Sequence, residues 1–101
     1  MSADRSGPVI EFVTFTVAPE DHAGWLEADE RVWTAFLREQ AGFVSKQTWI
    51  DRSNPELIHA AVRWVDEATW KSIPDDVLAA VDEEFGDWRR PLTMQIFDVV
   101  E

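Results

Sequence analysis

The residues of this chain whose types and spacing could do chemistry are one acid on an aromatic face, a scatter of large rings, two histidines and two charges inside apolar strands. Asp29 falls in the segment Pro19 to Gln40, where Trp25, Leu26, Val32, Trp33, Phe36 and Leu37 gather on one face at about 100° per residue. Its carboxylate projects between Leu26 and Trp33. An acid among rings loses hydration, so it holds its proton more tightly and becomes a candidate general base or acid. His22 lies on the same stripe at the helix start, as a proton shuttle or as an exposed first-turn residue. His59 sits inside a strand, on the face opposite Trp64 under strict alternation. Glu11 and Arg63 interrupt apolar strands predicted to be neighbours. A cross-strand ion pair would satisfy both, and a catalytic Glu11 is the sharper alternative.

The rings Trp33, Trp64, Trp70, Phe85 and Trp88, with Phe36 beside them, either stack against a flat aromatic ligand or fill a dense core. Other chemistries lack their residues. Zero cysteines remove thiol chemistry, disulfides and thiolate metal sites, and two histidines without ligand spacing make no ordinary zinc site. Neither a glycine-rich phosphate loop nor a nucleophile elbow is present.

The elements that must position these residues follow from periodicity and punctuation. VIEFVTFTV, residues 9 to 17, is rich in β-branched and aromatic residues and predicts a central strand. Pro19, Glu20 and Asp21 start a helix and Gly42 is placed to cap its end. FVSKQTWI, residues 43 to 50, is a mixed second strand, partly wet or paired with another chain, and DRSNPE turns the chain back. Leu57 to Val65 forms a third strand that runs into a short helical piece from Asp66 to Ile73. A further helix begins at Pro74 with an apolar stripe of Val77, Leu78, Val81, Phe85 and Trp88, and Leu92 to Val100 is the last strand.

The order β-α-β-β-α-β predicts an α+β, ferredoxin-like domain, a four-stranded antiparallel sheet with both helices on one face. Strands 1, 3 and 4 are apolar on both faces, so the second face needs a cover, and a homodimer supplies one. Residues 1–8 are expected to form a flexible tail and residues 9–101 the single domain. The chain is 101 residues long with 46% hydrophobic residues, enough for one core. A formal charge of −11 argues against nucleic acid as a partner, since phosphate binding depends on Lys and Arg. No segment reads as a membrane span or signal peptide, so a cytoplasmic location is expected.

With that element order, VIEF, VWTAFL, AGFVSKQTWI and VRWVDEATWKSIP resemble the dimeric α+β barrel proteins of the antibiotic-biosynthesis-monooxygenase type, and among them a group of short, uncharacterised bacterial proteins. The resemblance spans Val9 to about Phe85. In the cofactor-independent quinol monooxygenases of that superfamily a tryptophan closes the third strand in a W-x-S/D-E-x-A pattern and lines the pocket; Trp64 matches it. An aromatic six residues later falls on Trp70, where those enzymes carry tyrosine. Their asparagine four residues before the tryptophan falls on Ala60, which lacks the amide. The haem-degrading branch matches worse, because strand 1 has no Asn and the helix from Pro74 to Trp88 has no His.

The resemblance implies a small monooxygenase-like enzyme acting on an aromatic or polycyclic molecule without a bound cofactor. Taken with the residue reading above, the expected catalytic residues are Asp29, from its place on the aromatic face, and Trp64, from the matched pattern, and the expected substrate-binding residues are Trp33, Phe36, Trp70, Phe85 and Trp88. A non-catalytic binding or regulatory module and a cofactor-free isomerase or cyclase stand as alternatives on the same fold.

Overall fold

The computed structural model describes residues 7–100; the expected tail at residues 1–8 lies mostly outside the described residues. Strands β1 (Val9–Thr16), β2 (Phe43–Ile50), β3 (Leu57–Trp64) and β4 (Leu92–Asp98) form one antiparallel sheet in the order β2-β3-β1-β4. Helices α1 (His22–Asp29), α2 (Ala35–Arg38), α3 (Glu67–Lys71) and α4 (Asp75–Phe85) complete the ferredoxin-like α+β fold, with the helices on one face.

Register turns the strand sequences into a grid. On the helix-facing side the cross-strand rows are Phe43, Trp64, Val9 and Asp98; then Lys46, Val62, Glu11 and Ile96; then Thr48, Ala60, Val13 and Met94; then Ile50, Ile58, Phe15 and Leu92. Charge enters this apolar floor in its second row, through Lys46 and Glu11. The alternate residues Ile10, Phe12 and Thr14, with His59, Arg63 and Trp49, occupy the reverse face.

The first helix departs from the regular α-helix that its periodicity predicts. A 3-10 turn (Pro19–Asp21) leads into α1, which passes through a π-helical turn at Glu30–Thr34 before resuming as α2. A π turn widens the helix by one residue per turn, so side chains five apart come to the same side. Here those residues are Asp29 and Thr34.

Two side-chain clusters pin the helices to the sheet. Trp25, Ala28 and Val32 meet Val17, Ile58, Val81 and Phe85, and the Trp25 ring lies edge-on to Phe85. Leu37 meets Val9, Val62, Trp64, Trp70 and Ile73. The short helix α3 is fixed by its own cap, in which the Asp66 carboxylate accepts from the Thr69 backbone N–H at 2.7 Å. Gly42 supports the turn into β2 at φ 86°, where a Cβ would come within 2.7 Å of Thr69 Cγ2. The Asp51 carboxylate holds the β2-β3 turn by accepting from the N–H groups of Ser53 and Asn54.

The reverse face stays open within one chain. There Phe12 stacks on the His59 ring and touches the rings of Trp49 and Phe97, which are 47% and 46% exposed. All of β4 is exposed within the single chain. It is an edge strand, and its Leu92 and Met94 face the open space beneath the first helix rather than a packed side-chain layer. Val77 likewise leaves the predicted apolar stripe of α4 and is exposed. No helix among the described residues is long and apolar enough to cross a membrane.

Candidate active site

A cavity of about 400 Å3 opens between the sheet floor and the first helix. Its floor is Glu11, Val13 and Phe15 from β1, Lys46 from β2, Ala60 and Val62 from β3, and Leu92 and Met94 from β4. Asp29, Trp33 and Leu37 descend from the helix, while Asp82, Phe85, Arg89 and Arg90 line the remaining wall. The volume suits a small organic ligand.

Asp29 is buried at 4% exposure. Its Oδ2 accepts from Lys46 Nζ at 2.7 Å, and the same ammonium donates to Thr34 Oγ1 at 2.7 Å. The Lys46 side chain is 6% exposed, so both charges of this pair are out of water. Burial pushes the Asp29 carboxyl above the ordinary 3.8, and the Lys46 ammonium opposes that rise without cancelling it. An ammonium has three N–H donors. Asp29 and Thr34 take one each, which leaves a third for a ligand.

Both partners owe their aim to a local irregularity. The π turn brings Thr34 to the side of Asp29. In β2, Phe43 faces Trp64 and strict alternation from Phe43 would turn Lys46 to the reverse face. A β-bulge between Phe43 and Ser45 shifts the register by one residue, and Lys46 then stands opposite Val62, beneath the helix. Lys46 is the site residue that sequence reading misses. The one available signal is a lysine in an otherwise neutral strand.

Glu11 shares the row of Lys46, with Val62 between them. Its Oε1 accepts from Trp64 Nε1 at 3.1 Å, a diagonal cross-strand contact. The ion pair with Arg63 that the strand sequences suggest does not form, because Arg63 stands opposite Ile10 and points to the other face. Burial raises the Glu11 carboxyl above its ordinary 4.5, against the lowering effects of the Trp64 hydrogen bond and of Lys46.

The predicted ring group divides. Trp33 and Phe85 line the cavity; Phe36, Trp64, Trp70 and Trp88 do not. Trp64 is fully buried and stacks on Trp70 with ring centroids 6.1 Å apart and planes at 13°. Such a pair contributes about 0.5–1.5 kcal/mol beyond its area burial. Trp64 thus reaches the cavity through Glu11 rather than with its own ring. Phe36 packs edge-on against Trp33, and Trp88 lies against Gly24 of α1, outside the cavity. Ala60 lies in the floor and offers no polar atom there.

The histidines stand apart from this chemistry. His22 is half-buried rather than exposed, with Nε2 bonded at 3.1 Å to the Val17 carbonyl. His59 is on the reverse face, bonded through Nε2 to Asp51 at 2.8 Å and through Nδ1 to Thr14 at 2.9 Å. Among the described residues no group of three or more His, Asp or Glu side chains is arranged to hold a metal ion.

No family model and no curated protein matches the sequence. Solved structures do match its fold. A monooxygenase from the ActVA-Orf6 gene of Streptomyces coelicolor, in complex with the ligand nanaomycin D, aligns with a TM-score of 0.76 at 18% identity over 96% of this chain and 90% of that one. SnoaB, a cofactor-independent oxygenase from Streptomyces nogalater, gives 0.73 at 18% identity over 95% and 96%. A proposed antibiotic biosynthesis monooxygenase from Caulobacter crescentus gives 0.76 at 14% identity over 96% and 93%. The chain therefore has the fold of the antibiotic-biosynthesis-monooxygenase type.

Because the folded chain holds the Asp29 proton more tightly than the unfolded chain, its contribution to stability is greatest below 3.8 and is lost as pH rises through the folded value. Lys46→Met removes the cation and raises that folded value further. The variant is expected to lose about 3–5 kcal/mol at neutral pH, a buried charge having lost its partner. The deficit should shrink as Asp29 takes up a proton, and denaturant unfolding at pH 7 and pH 4.5 measures it. A deficit equal at both pH values would contradict the buried pairing.

Proposed function

We propose that the protein is a cytoplasmic small-molecule oxygenase that acts on the phenolic or quinol form of an aromatic or polycyclic compound and uses dioxygen without a bound cofactor. The observation that carries this reading is the buried Asp29–Lys46 pair set into the wall of an apolar cavity. A substrate hydroxyl placed there donates its proton to Asp29, and the aryloxide that forms is stabilised by the Lys46 ammonium. In a low-dielectric site that stabilisation is far stronger than in water. The electron-rich ring then reacts with dioxygen. Trp33 and Phe85 supply flat walls for the rings, and Val13, Val62 and Leu37 exclude water.

Support also comes from the shared fold, since SnoaB is a cofactor-independent oxygenase and the ActVA-Orf6 monooxygenase is complexed with nanaomycin D. Where the resembled quinol monooxygenases carry an asparagine, this chain has Ala60, and the polar role passes to Lys46 and Asp29. The active form in this reading is a homodimer, whose second sheet covers the ring cluster of Phe12, Trp49 and Phe97.

Purified protein is expected to consume oxygen and form quinone with members of a panel of anthrones and hydroquinones. Asp29→Asn should slow this by about 100-fold or more, the usual scale of a lost general base. Absence of oxygen uptake across the panel would overturn the reading. Turnover that persists anaerobically would identify an isomerase or cyclase, and an Asp29→Asn effect on affinity alone would identify a binding module. For the assembly, sedimentation equilibrium should return twice the chain mass, and Trp49→Asp should shift it toward the monomer. A wild-type monomer at micromolar concentration would contradict the dimer.

A further inference from the structure

We infer that Glu11 is a second catalytic group of this cavity, the base that carries the final proton from carbon to oxygen when the quinone forms. The inference rests on the oxygenase reading above, which assigns the hydroxyl proton and leaves the carbon-bound proton without an acceptor. After dioxygen has added at a ring carbon that still bears hydrogen, the peroxide takes back the proton held by Asp29 and becomes a hydroperoxide. The quinone then forms by loss of water. The C–H bond breaks, its electron pair becomes the new C=O bond, the O–O bond breaks and hydroxide leaves. Glu11 accepts the proton from carbon and delivers it to the departing hydroxide, which becomes water, and the carboxylate is restored.

Glu11 is built for that position. It stands in the cavity floor in the same row as Lys46, one strand beyond Val62, with an expected Cα separation of about 10 Å, two strand spacings. The two carboxylates therefore approach a bound ring system from different elements, Asp29 from the helix above and Glu11 from the sheet below. An indole N–H is only a donor, so Trp64 fixes Oε1 and leaves Oε2 for the substrate. Trp64 is held in turn by stacking on Trp70, so the carboxylate is preorganised by a fully buried support. Burial raises its proton affinity, which strengthens it as a base toward carbon. A structural account of the Glu11–Trp64 bond would explain its geometry but not why the acid also lines the cavity.

The test compares wild type, Glu11→Gln and Glu11→Asp with one anthrone that the wild type oxidises, whose reacting carbon carries hydrogen, following oxygen uptake and quinone separately. Glu11→Gln keeps an acceptor oxygen for Trp64 but cannot take a proton. It is expected to retain an initial burst of oxygen uptake while quinone formation falls by about 100-fold. A species with the mass of substrate plus dioxygen should accumulate, and quinone formation should slow further when the reacting carbon carries deuterium. Glu11→Asp should recover part of the lost rate. Quinone formation at the wild-type rate in Glu11→Gln would overturn the assignment. So would equal loss of oxygen uptake and quinone in both Glu11 variants, the pattern of a purely structural residue. If the wild type itself takes up no oxygen with any anthrone or hydroquinone, the oxygenase reading fails and takes this step with it.

Discussion

The organisation of the site depends on one contact, the 2.7 Å bond between the Lys46 ammonium and the Asp29 carboxylate. Removing two such charges from water costs several kcal/mol per ion, and their attraction offsets that cost only when the geometry is good and further hydrogen bonds are made. Thr34 supplies the further bond. A π turn in the helix and a bulge in β2 are the two irregularities that bring these three side chains together. Without the bulge Lys46 would turn to the reverse face and leave Asp29 buried alone, and without the π turn the ammonium would lose its bond to Thr34. Backbone irregularity and site electrostatics are thus a single feature here.

The same pair determines what the cavity can do. Most of its wall is apolar, from Val13, Val62, Leu37 and Phe85, and would hold flat rings without directing them. Lys46 and Asp29 give it a polar point, with a cation to stabilise an anion beside a base that can create one. Glu11 adds a second carboxylate from the floor, steadied by the stacked Trp64 and Trp70 behind it. The large rings predicted as a substrate wall therefore serve two purposes. Trp33 and Phe85 face the cavity, and the Trp64–Trp70 stack supports an acid that does.

Much of the architecture is legible in the sequence because it depends on patterns repeated along whole elements. A run rich in β-branched and aromatic residues marks β1 and a mostly apolar run marks β3, Pro19 and Gly42 bracket the first helix, and together they imply the antiparallel sheet with its helices on one face. Asp29 stands out because a lone acid falls on an aromatic face. What sequence leaves hidden comes from single-residue shifts. A bulge of one residue reverses Lys46, and no residue type in FVSKQTWI announces it. The one-residue offset between Glu11 and Arg63 separates two charges that strand adjacency alone would pair. Ring sizes likewise do not tell that Trp88 turns toward Gly24 and that Trp64 packs against Trp70 beside the cavity.

Carbon-detected NMR titration of the Asp29 and Glu11 carboxyl groups, in wild type and in Lys46→Met, tests the buried pairing most directly. Both carboxyls should titrate above their ordinary 3.8 and 4.5 in the wild type, with the Asp29 value rising further once the lysine is gone. An Asp29 that titrates at or below 3.8 and ignores the loss of Lys46 would mean that water reaches it, and the account of the site would not stand.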